Sequence, residues 1–145
     1  MSRQAAKPAK PPREEESREP DEASDTLASV VLDAALEVHR NLGPAFLENV
    51  YENALCHELS LRRVSFERQV VVPIRYKDVL GGEGRVDLVV GGLVVVELKA
   101  LPALAPVHLA QALSYLKAMR LGLGLLVNFG ERQLKTGCRR VVLTR

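Results

Sequence analysis

Three charged residues, Asp87, Glu97 and Lys99, stand inside otherwise apolar runs in the stretch VDLVVGGLVVVELKA, which covers residues 86–100. A carboxylate buried without a partner costs considerable free energy, so charges in such runs need a counter-ion or a ligand. Glu97 and Lys99 are two residues apart and therefore project from the same face of a strand. Two close carboxylates suit a hard cation such as Mg²⁺, and a neighbouring lysine can stabilise the charge that develops during phosphodiester hydrolysis.

Whether Asp87 joins Glu97 depends on the length of the loop between the two strands. A strict two-residue turn at Gly91-Gly92 pairs Asp87 with Val96 and places Glu97 on the opposite face. A three-residue loop that ends at Leu93 places Asp87 directly opposite Glu97, with side chains that start roughly 5 Å apart. Loops of this length commonly use glycine in the left-handed region. The metal-site hypothesis therefore predicts a loop that is odd in length or bulged.

The three charges could instead form a structural ion pair at the end of the sheet. In that interpretation Lys99 neutralises Glu97 or Asp87, and none of them contacts a ligand. The spacing D-x9-E-x-K is short enough to arise by chance, so it leaves the metal site and the ion pair about equally open.

The elements that would position these charges follow from hydrophobic periodicity. Apolar residues at helical spacing predict a first helix capped by Ser24 or Asp25 and ended by Gly43, with Pro44 in the first turn of a second helix. The remaining pattern predicts strands over 66–76, 85–90 and 93–99, a helix over 107–120, a buried strand within 122–130 and a short strand in 138–145. Residues 77–84, KDVLGGEG, predict a turn-rich link. The order α-α-β-β-β-α-β-(β) indicates an α/β sandwich around a mixed sheet.

The chain of 145 residues is long enough for one domain with a substantial core. Residues 1–24 are rich in proline and in charges of both signs, which predicts a disordered tail before a single domain over 25–145. No apolar run could cross a bilayer and no signal peptide precedes the first helix, so we expect a cytoplasmic protein with no membrane partner. Cys56 and Cys138 form no CxxC pair, which indicates reduced thiols. The net charge of +2 is compatible with a polyanionic partner without requiring one.

Two other groups of polar residues lie near this hairpin in the expected topology. The helix after the Glu-x-Lys strand carries His108, Gln111 and Tyr115 on one stripe, which could overhang the site or form the solvated side of the helix. Glu48 lies at the border of the apolar face of the second helix, so it could face the site or the solvent.

Together these segments resemble the GxxExxY family, a group of small proteins within the PD-(D/E)XK nuclease-like superfamily. The resemblance covers about residues 32–142 and rests on ALEVHRNLGPAFLENVYENAL, RVDLVV, VVVELKA, VHLAQALSYLK and LGLLVNFG. Ala45 replaces the family's first glycine and Val86 replaces the superfamily's proline, while the acidic and basic signature residues are all present. The resemblance implies a restriction-endonuclease-like (PD-(D/E)XK) core, with a mixed β-sheet flanked by helices.

Carried over residue by residue, the resemblance implies a divalent-metal-dependent nuclease. Asp87 and Glu97 resemble the metal-binding carboxylates, and Lys99 resembles the catalytic lysine that positions water or stabilises the transition state. Glu48 resembles the first-helix acid that binds metal or orients water. The implied cofactor is Mg²⁺ or Mn²⁺.

Gln111 and Tyr115 match the Q-x-x-x-Y helix of exonuclease-like branches, where they would contact phosphate or support the site. The implied partner is nucleic acid, with DNA expected as the substrate. The alternative is a catalytically silent nuclease fold that acts as a nucleic-acid-binding or regulatory module. The oligomeric state is left open, a homodimer included. Candidate phosphate contacts, each more simply explained as a solvated surface charge, are Arg62, Arg63, Arg85 and Lys117.

Overall fold

Helices and strands follow one another in the order expected from the sequence, with one short helix added before the last strand. The computed structural model describes residues 20–144, so most of the predicted disordered tail lies outside the described residues. The elements in chain order are α1 (Glu22–Leu42), α2 (Glu48–Leu61), β1 (Phe66–Tyr76), β2 (Val79–Val90), β3 (Val94–Lys99), α3 (Pro106–Met119), β4 (Leu123–Asn128), α4 (Leu134–Gly137) and β5 (Cys138–Val142).

The strands form one mixed sheet in the order β1-β2-β3-β4-β5. The first three strands make an antiparallel meander, β4 runs parallel to β3, and β5 returns antiparallel to β4. The connection between the parallel strands contains α3, because a parallel pair needs a crossover that returns the chain to the same end of the sheet. The predicted restriction-endonuclease-like core, a mixed sheet flanked by helices, is confirmed.

Helices cover both faces of the sheet. On one face, buried residues of α1 and α2 such as Val31 and Leu55 join a core cluster with Leu88 of β2. On the other face, Leu116 of α3 joins a second cluster with Val95 of β3. The central strands are therefore buried on two sides, which explains why they read as nearly continuous apolar runs.

The loop between β2 and β3 has the three residues Gly91, Gly92 and Leu93. Val90 pairs with Val94 across the antiparallel ladder, which is the register that the metal-site hypothesis predicts. Gly91 and Gly92 have φ angles of 60° and 71°, in the left-handed region that favours glycine. The prediction of an odd-length loop is therefore confirmed.

The first helix begins at Glu22, so its start lies inside the segment predicted as a tail. The cap is Asp21, rather than Ser24 or Asp25, because the Asp21 carboxylate accepts a hydrogen bond from the Ser24 N–H at 2.7 Å. An acidic cap also interacts favourably with the positive end of the helix dipole.

The second helix begins at Glu48, and the prediction of Pro44 in its first turn is wrong. The buried Tyr51 hydroxyl donates to the Gly43 carbonyl and accepts from the Phe46 N–H at 3.1 Å. Because Tyr51 satisfies these backbone groups, the residues before Glu48 form a fixed loop instead of a helical turn. That loop places Glu48 in the first turn of α2.

The second strand is longer than predicted and takes up most of the expected link over 77–84. Only Lys77 and Asp78 form a turn, and β2 pairs with β1 from Val79 onward. Gly84 faces the ring of Tyr115, since a Cβ atom there would lie 2.5 Å from Tyr115 Cε1. The glycine thus makes room for α3 and does not end the strand.

No helix within residues 20–144 is long and apolar enough to cross a membrane. Cys56, which is buried in α2, and Cys138, which begins β5, are both free thiols, as predicted.

Candidate active site

The sheet divides between β2 and β3 at Asp87 and Glu97. The β2–β3 ladder ends at the Leu88–Val96 pair, one step short of these two acids. Beyond that point β2 stays paired with β1, and β3 stays paired with β4 as far as Lys99. The two strands therefore form a fork, with Asp87 on one branch and with Glu97 and Lys99 on the other.

Carboxylates replace backbone carbonyls as hydrogen-bond acceptors inside this fork. The Asp87 N–H donates to Glu97 Oε1 at 2.8 Å, and the Leu98 N–H donates to Asp87 Oδ2 at 2.8 Å. Each carboxylate thus accepts from the strand that carries the other one. These crossed bonds hold the two acidic groups side by side in the position that the three-residue loop predicts.

Glu97 is buried, with 7% of its surface exposed. Burial raises the pKa of Glu97 to about 7, and the negative charge of Asp87 adds to the rise. The hydrogen bond from the Asp87 N–H and the positive charge of Lys99 act in the opposite direction on this pKa. A further positive charge nearby would therefore favour the ionised form of Glu97.

Lys99 is half-buried at the end of β3, two residues after Glu97. Within residues 20–144, no ion pair joins Lys99 to Asp87 or to Glu97. The structural ion pair, which was the alternative interpretation of these charges, is therefore not formed. Lys99 still lies near enough for its charge to act on the pKa of Glu97.

Glu48 approaches the fork from the first turn of α2. Glu48 is an exposed residue, but partial burial of its carboxyl raises its pKa; the charge of Asp87 raises this pKa further, and the charge of Lys99 lowers it. These effects place Glu48 within electrostatic reach of both branches. The described part of the chain nevertheless contains no group of three or more His, Cys, Asp or Glu side chains that could hold a metal ion. The role of Glu48 as a further metal ligand stays a prediction.

Asp87 and Glu97 fit a hard divalent cation. Carboxylate oxygens are the donors that Mg²⁺ and Mn²⁺ prefer, and such ions keep several waters in their coordination shell, so two protein ligands are enough. The crossed hydrogen bonds already hold these carboxylates together, and a bound cation would favour the ionised form of Glu97.

A second carboxylate of α2, Glu52, is tied to the fork by hydrogen bonds that the sequence pattern did not predict. Glu52 is 8% exposed. It accepts from Arg68 Nε and Nη2 at 3.1 and 3.0 Å, and from Gln69 Nε2 at 2.9 and 3.1 Å. Gln69 Nε2 also donates to Asp87 Oδ1 at 3.2 Å. The available signal was the helical spacing, because Glu52 follows Glu48 by one turn on the same side of the helix.

Gln69 and Asp87 lie at the same position along the β1–β2 pair. At this position the regular alternation of side chains between the two faces of the sheet is interrupted. Leu88 packs with α1 and α2, whereas Val86, two residues earlier, packs under α3. Residues that are two positions apart on a regular strand lie on the same face of the sheet. Because Val86 and Leu88 lie on opposite faces, the alternation reverses at Asp87. Gln69 has a positive φ of 50°, which is uncommon for residues other than glycine. The irregular position in the β1–β2 pair is therefore also the position at which the fork opens.

The stripe on α3 lies beside β2 but is not hydrogen-bonded to the fork. Gln111 Nε2 lies 3.4 Å from the Tyr115 hydroxyl, and the Tyr115 ring packs over Gly84. Nδ1 of His108 accepts from the Ala105 N–H at 2.8 Å, which explains His108 as a helix-start residue. Among the described residues no hydrogen bond links Gln111 or Tyr115 to the three charges of the fork, so their catalytic role stays a prediction.

The candidate phosphate contacts are all on the surface. Arg62 forms an ion pair with Glu58 at 2.9 Å, one turn earlier on α2. Such pairs between solvated side chains contribute little to stability. The other three exposed candidates are Arg63, Arg85 and Lys117.

The sequence matches a known family model over most of its length. The model is described as the PD-(D/E)XK nuclease superfamily, and the match covers residues 25–141. It therefore includes both branches of the fork, α2 and α3. No curated protein and no solved structure matches the chain.

Proposed function

Because the chain belongs to the PD-(D/E)XK nuclease superfamily, we propose that it is a divalent-metal-dependent nuclease that hydrolyses phosphodiester bonds in DNA. The superfamily implies a nucleic-acid substrate, and its nucleases generally use divalent metals. The observation that carries the proposal is the fork. Asp87 and Glu97 adjoin there through crossed hydrogen bonds, and within the described residues neither is ion-paired to Lys99.

Each charged residue of the fork has a distinct proposed role. Asp87 and Glu97 would hold Mg²⁺ or Mn²⁺, which when bound polarises a phosphoryl oxygen and makes a coordinated water more acidic. The Lys99 ammonium would stabilise negative charge on the transferring phosphoryl group or position the attacking water. Glu48, whose pKa is raised beside the fork, would orient that water or add a ligand oxygen.

The crossed hydrogen bonds support this proposal because they organise the acids before any substrate arrives. Asp87 and Glu97 are each fixed by an N–H of the opposite strand, so their carboxylates cannot turn away without loss of a hydrogen bond. A site held in this way needs little reorganisation when charge develops in the transition state.

We also infer that the chain is a GxxExxY protein. In the segment AFLENVY, Tyr51 is buried, stacks on Phe129 with ring centroids 4.5 Å apart, and accepts from the Phe46 N–H. Tyr51 therefore holds the loop that precedes Glu48 and the start of α2. The tyrosine and the glutamate of the signature would thus have separate roles, a structural one for Tyr51 and a proposed one in the site for Glu48.

Cleavage of a substrate panel tests the proposed activity. Labelled single-stranded, double-stranded and branched DNAs, together with matched RNAs, are incubated with Mg²⁺ or Mn²⁺ and with a chelator as the blank. We expect metal-dependent cleavage of DNA that is lost in Lys99→Ala. Equal activity in wild type and Lys99→Ala would assign the cleavage to a contaminant or another site and contradict the proposal.

A metal titration separates the nuclease from the silent alternative. Mn²⁺ binding is measured by calorimetry for wild type, Asp87→Ala and Glu97→Ala, and we expect binding only in the wild type. A wild type that binds no divalent ion, and whose melting temperature is the same with and without metal, would exclude the metal site. Metal binding without cleavage of any nucleic acid in the panel would favour the nucleic-acid-binding or regulatory module.

A further inference from the structure

We propose that Gln69 is a positioning residue that holds the Asp87 carboxylate in place, and that the buried Glu52, paired with the exposed Arg68, anchors Gln69 in turn. This inference rests on the proposed function, in which Asp87 is a metal ligand. It adds a set of residues on α2 and β1 that lie outside the sequence motif of the fork.

The side-chain amide of Gln69 bridges two carboxylates. Its Nε2 atom donates to Asp87 Oδ1 at 3.2 Å and to Glu52 Oε1 at 2.9 Å. A glutamine NH₂ group has two protons, so one amide can serve both acids at once. Because Leu98 N–H already bonds to Asp87 Oδ2, the Gln69 bond fixes the second oxygen of the same carboxylate.

Glu52 holds Gln69 in the orientation that this bridge requires. The Glu52 carboxylate is 8% exposed and accepts from both Arg68 and Gln69. Arg68 also donates to Asn53 Oδ1 at 2.8 Å, so its guanidinium is hydrogen-bonded to two residues of α2, Glu52 and Asn53. Charge-assisted bonds of this kind are stronger than neutral ones, which makes Glu52 a firm anchor.

The backbone of Gln69 is strained at the position from which its side chain reaches Asp87 and Glu52. Gln69 has a φ of 50°, where glycine is favoured and a residue with a Cβ atom is strained. Such strain persists where surrounding contacts impose it, and it clusters at functional sites. Gln69 is exposed, so burial of its side chain does not explain the strained conformation.

This strain allows a sharp test, because a glycine at position 69 relaxes the backbone while removing the amide. We expect relief of the backbone strain to offset the lost hydrogen bonds to Glu52, so that Gln69→Gly melts close to the wild-type temperature but binds Mn²⁺ about 10–100-fold more weakly, as is typical when the partner of a metal ligand is lost. A purely structural residue would behave in the opposite way, with altered melting and unchanged metal affinity. Gln69→Gly that binds Mn²⁺ as wild type does would overturn the proposal.

Isosteric variants test the bridge itself. Gln69→Met keeps the approximate size of the side chain but loses both donated protons and adds no charge near Asp87, so we expect the largest loss of Mn²⁺ affinity. Glu52→Gln should weaken Mn²⁺ binding less, because it acts through Gln69. Glu58→Gln is the matched control. Glu58 is an acid of the same helix, and it pairs with Arg62 instead of with Gln69. Equal affinities in Glu52→Gln and Glu58→Gln would contradict the anchoring role of Glu52.

A metal-free measurement separates failure of this inference from failure of the proposed function. The side-chain amide resonances of Gln69 are followed by ¹⁵N NMR in wild type, Asp87→Ala and Gln133→Ala, the last being an exposed glutamine used as a control. We expect the Gln69 amide signals to move in Asp87→Ala only. If they move while wild type binds no Mn²⁺, the nuclease proposal fails and the positioning contact stands. If they do not move, the bridge is absent and the inference is overturned.

Discussion

The two ends of the β2–β3 pair are built on opposite principles. At the turn end, apolar residues pair through backbone hydrogen bonds from Val90–Val94 to Leu88–Val96, and both faces are buried under helices. At the fork end, the ladder stops and the amides of Asp87 and Leu98 bond to carboxylates instead. One hairpin thus contains a stretch that stabilises the fold and a stretch that holds acidic side chains, one of them Glu97, whose ionised form is disfavoured by burial.

The contrast between the two ends shows how an apolar sheet can hold acids without unfolding. The turn end supplies burial, which is the main favourable term in folding. The fork end uses side-chain acceptors to satisfy backbone donors, and it leaves Glu97 in a position where burial raises its pKa. Substitutions at the turn end should therefore change stability, and substitutions at the fork end should change chemistry.

Loss of Lys99 should have the largest effect on chemistry. We expect Lys99→Ala to slow cleavage by roughly 10²–10³-fold, as when one group that stabilises transition-state charge is removed. Because Lys99 forms no ion pair within the described residues, the melting temperature of the Lys99→Ala variant should stay close to that of the wild type. Single-turnover cleavage and a thermal melt measure the two effects. A large drop in melting temperature would contradict the claim that the fork end affects chemistry more than stability.

Truncation of Leu88 should have the largest effect on stability. Leu88 is fully buried in the cluster under α1 and α2, so Leu88→Ala should lower the free energy of unfolding by about 2–5 kcal/mol. Leu113→Ala is the matched control, because Leu113 is 39% exposed and its truncation should change stability by about 0.5 kcal/mol or less. Urea unfolding measures both, and similar losses in the two variants would contradict the burial argument.

The pH dependence of stability should come from the fork. The pKa of Glu97 is about 7 in the folded protein, above its ordinary value of 4.5, so the folded state binds more protons than the unfolded state between these values. Without metal, stability should therefore fall as pH rises from 4.5 to about 7, by on the order of 3 kcal/mol at most. Urea unfolding in the presence of a chelator measures this slope.

Glu97→Gln is the control for the pH prediction, because it removes the titrating group and keeps the size of the side chain. The slope between these pH values should flatten in this variant. Addition of Mg²⁺ to the wild type should stabilise it more as pH rises, because the cation binds the ionised carboxylate. An unchanged slope in Glu97→Gln would assign the pH dependence to another group.

The smallest effect should come from the two glycines of the loop. Gly91 and Gly92 both have positive φ, so alanine at either position should cost about 1–2 kcal/mol of stability. A Cβ at Gly91 would also lie 2.6 Å from Leu27 Cδ1, whereas at Gly92 nothing lies within 4 Å. Gly91→Ala should therefore destabilise more than Gly92→Ala, and thermal melts that show the reverse order would contradict the packing argument.

The sequence was sufficient to predict the features that depend on local periodicity. The element order follows from apolar spacing, and the proximity of Asp87 to Glu97 follows from the parity of the strand and the length of a glycine loop. The predicted start of β2 is wrong because the glycines in 77–84 are typical of a turn, whereas β2 begins at Val79 and Gly84 makes room for Tyr115. Packing between distant segments decides such cases.

The supporting residues of the site could not be predicted for the same reason. Gln69 is 17 residues from Glu52 and 18 from Asp87, and no local pattern links them. The positive φ of Gln69 is also hidden, because the usual marker of that conformation is glycine. A glutamine in a largely exposed strand such as β1 is typical of an ordinary surface residue until its partners are seen.

The crossed hydrogen bonds of the fork also make the backbone a reporter of the site. In native-state hydrogen exchange, an amide such as that of Leu88 reports opening of the sheet, because its neighbours belong to the backbone ladder. The amides of Asp87 and Leu98 donate to carboxylates, so their exchange rates follow the charge and occupancy of those groups as well. Two amide protons would thus record the arrival of a cation from within the polypeptide, without a label on the metal or on the nucleic acid.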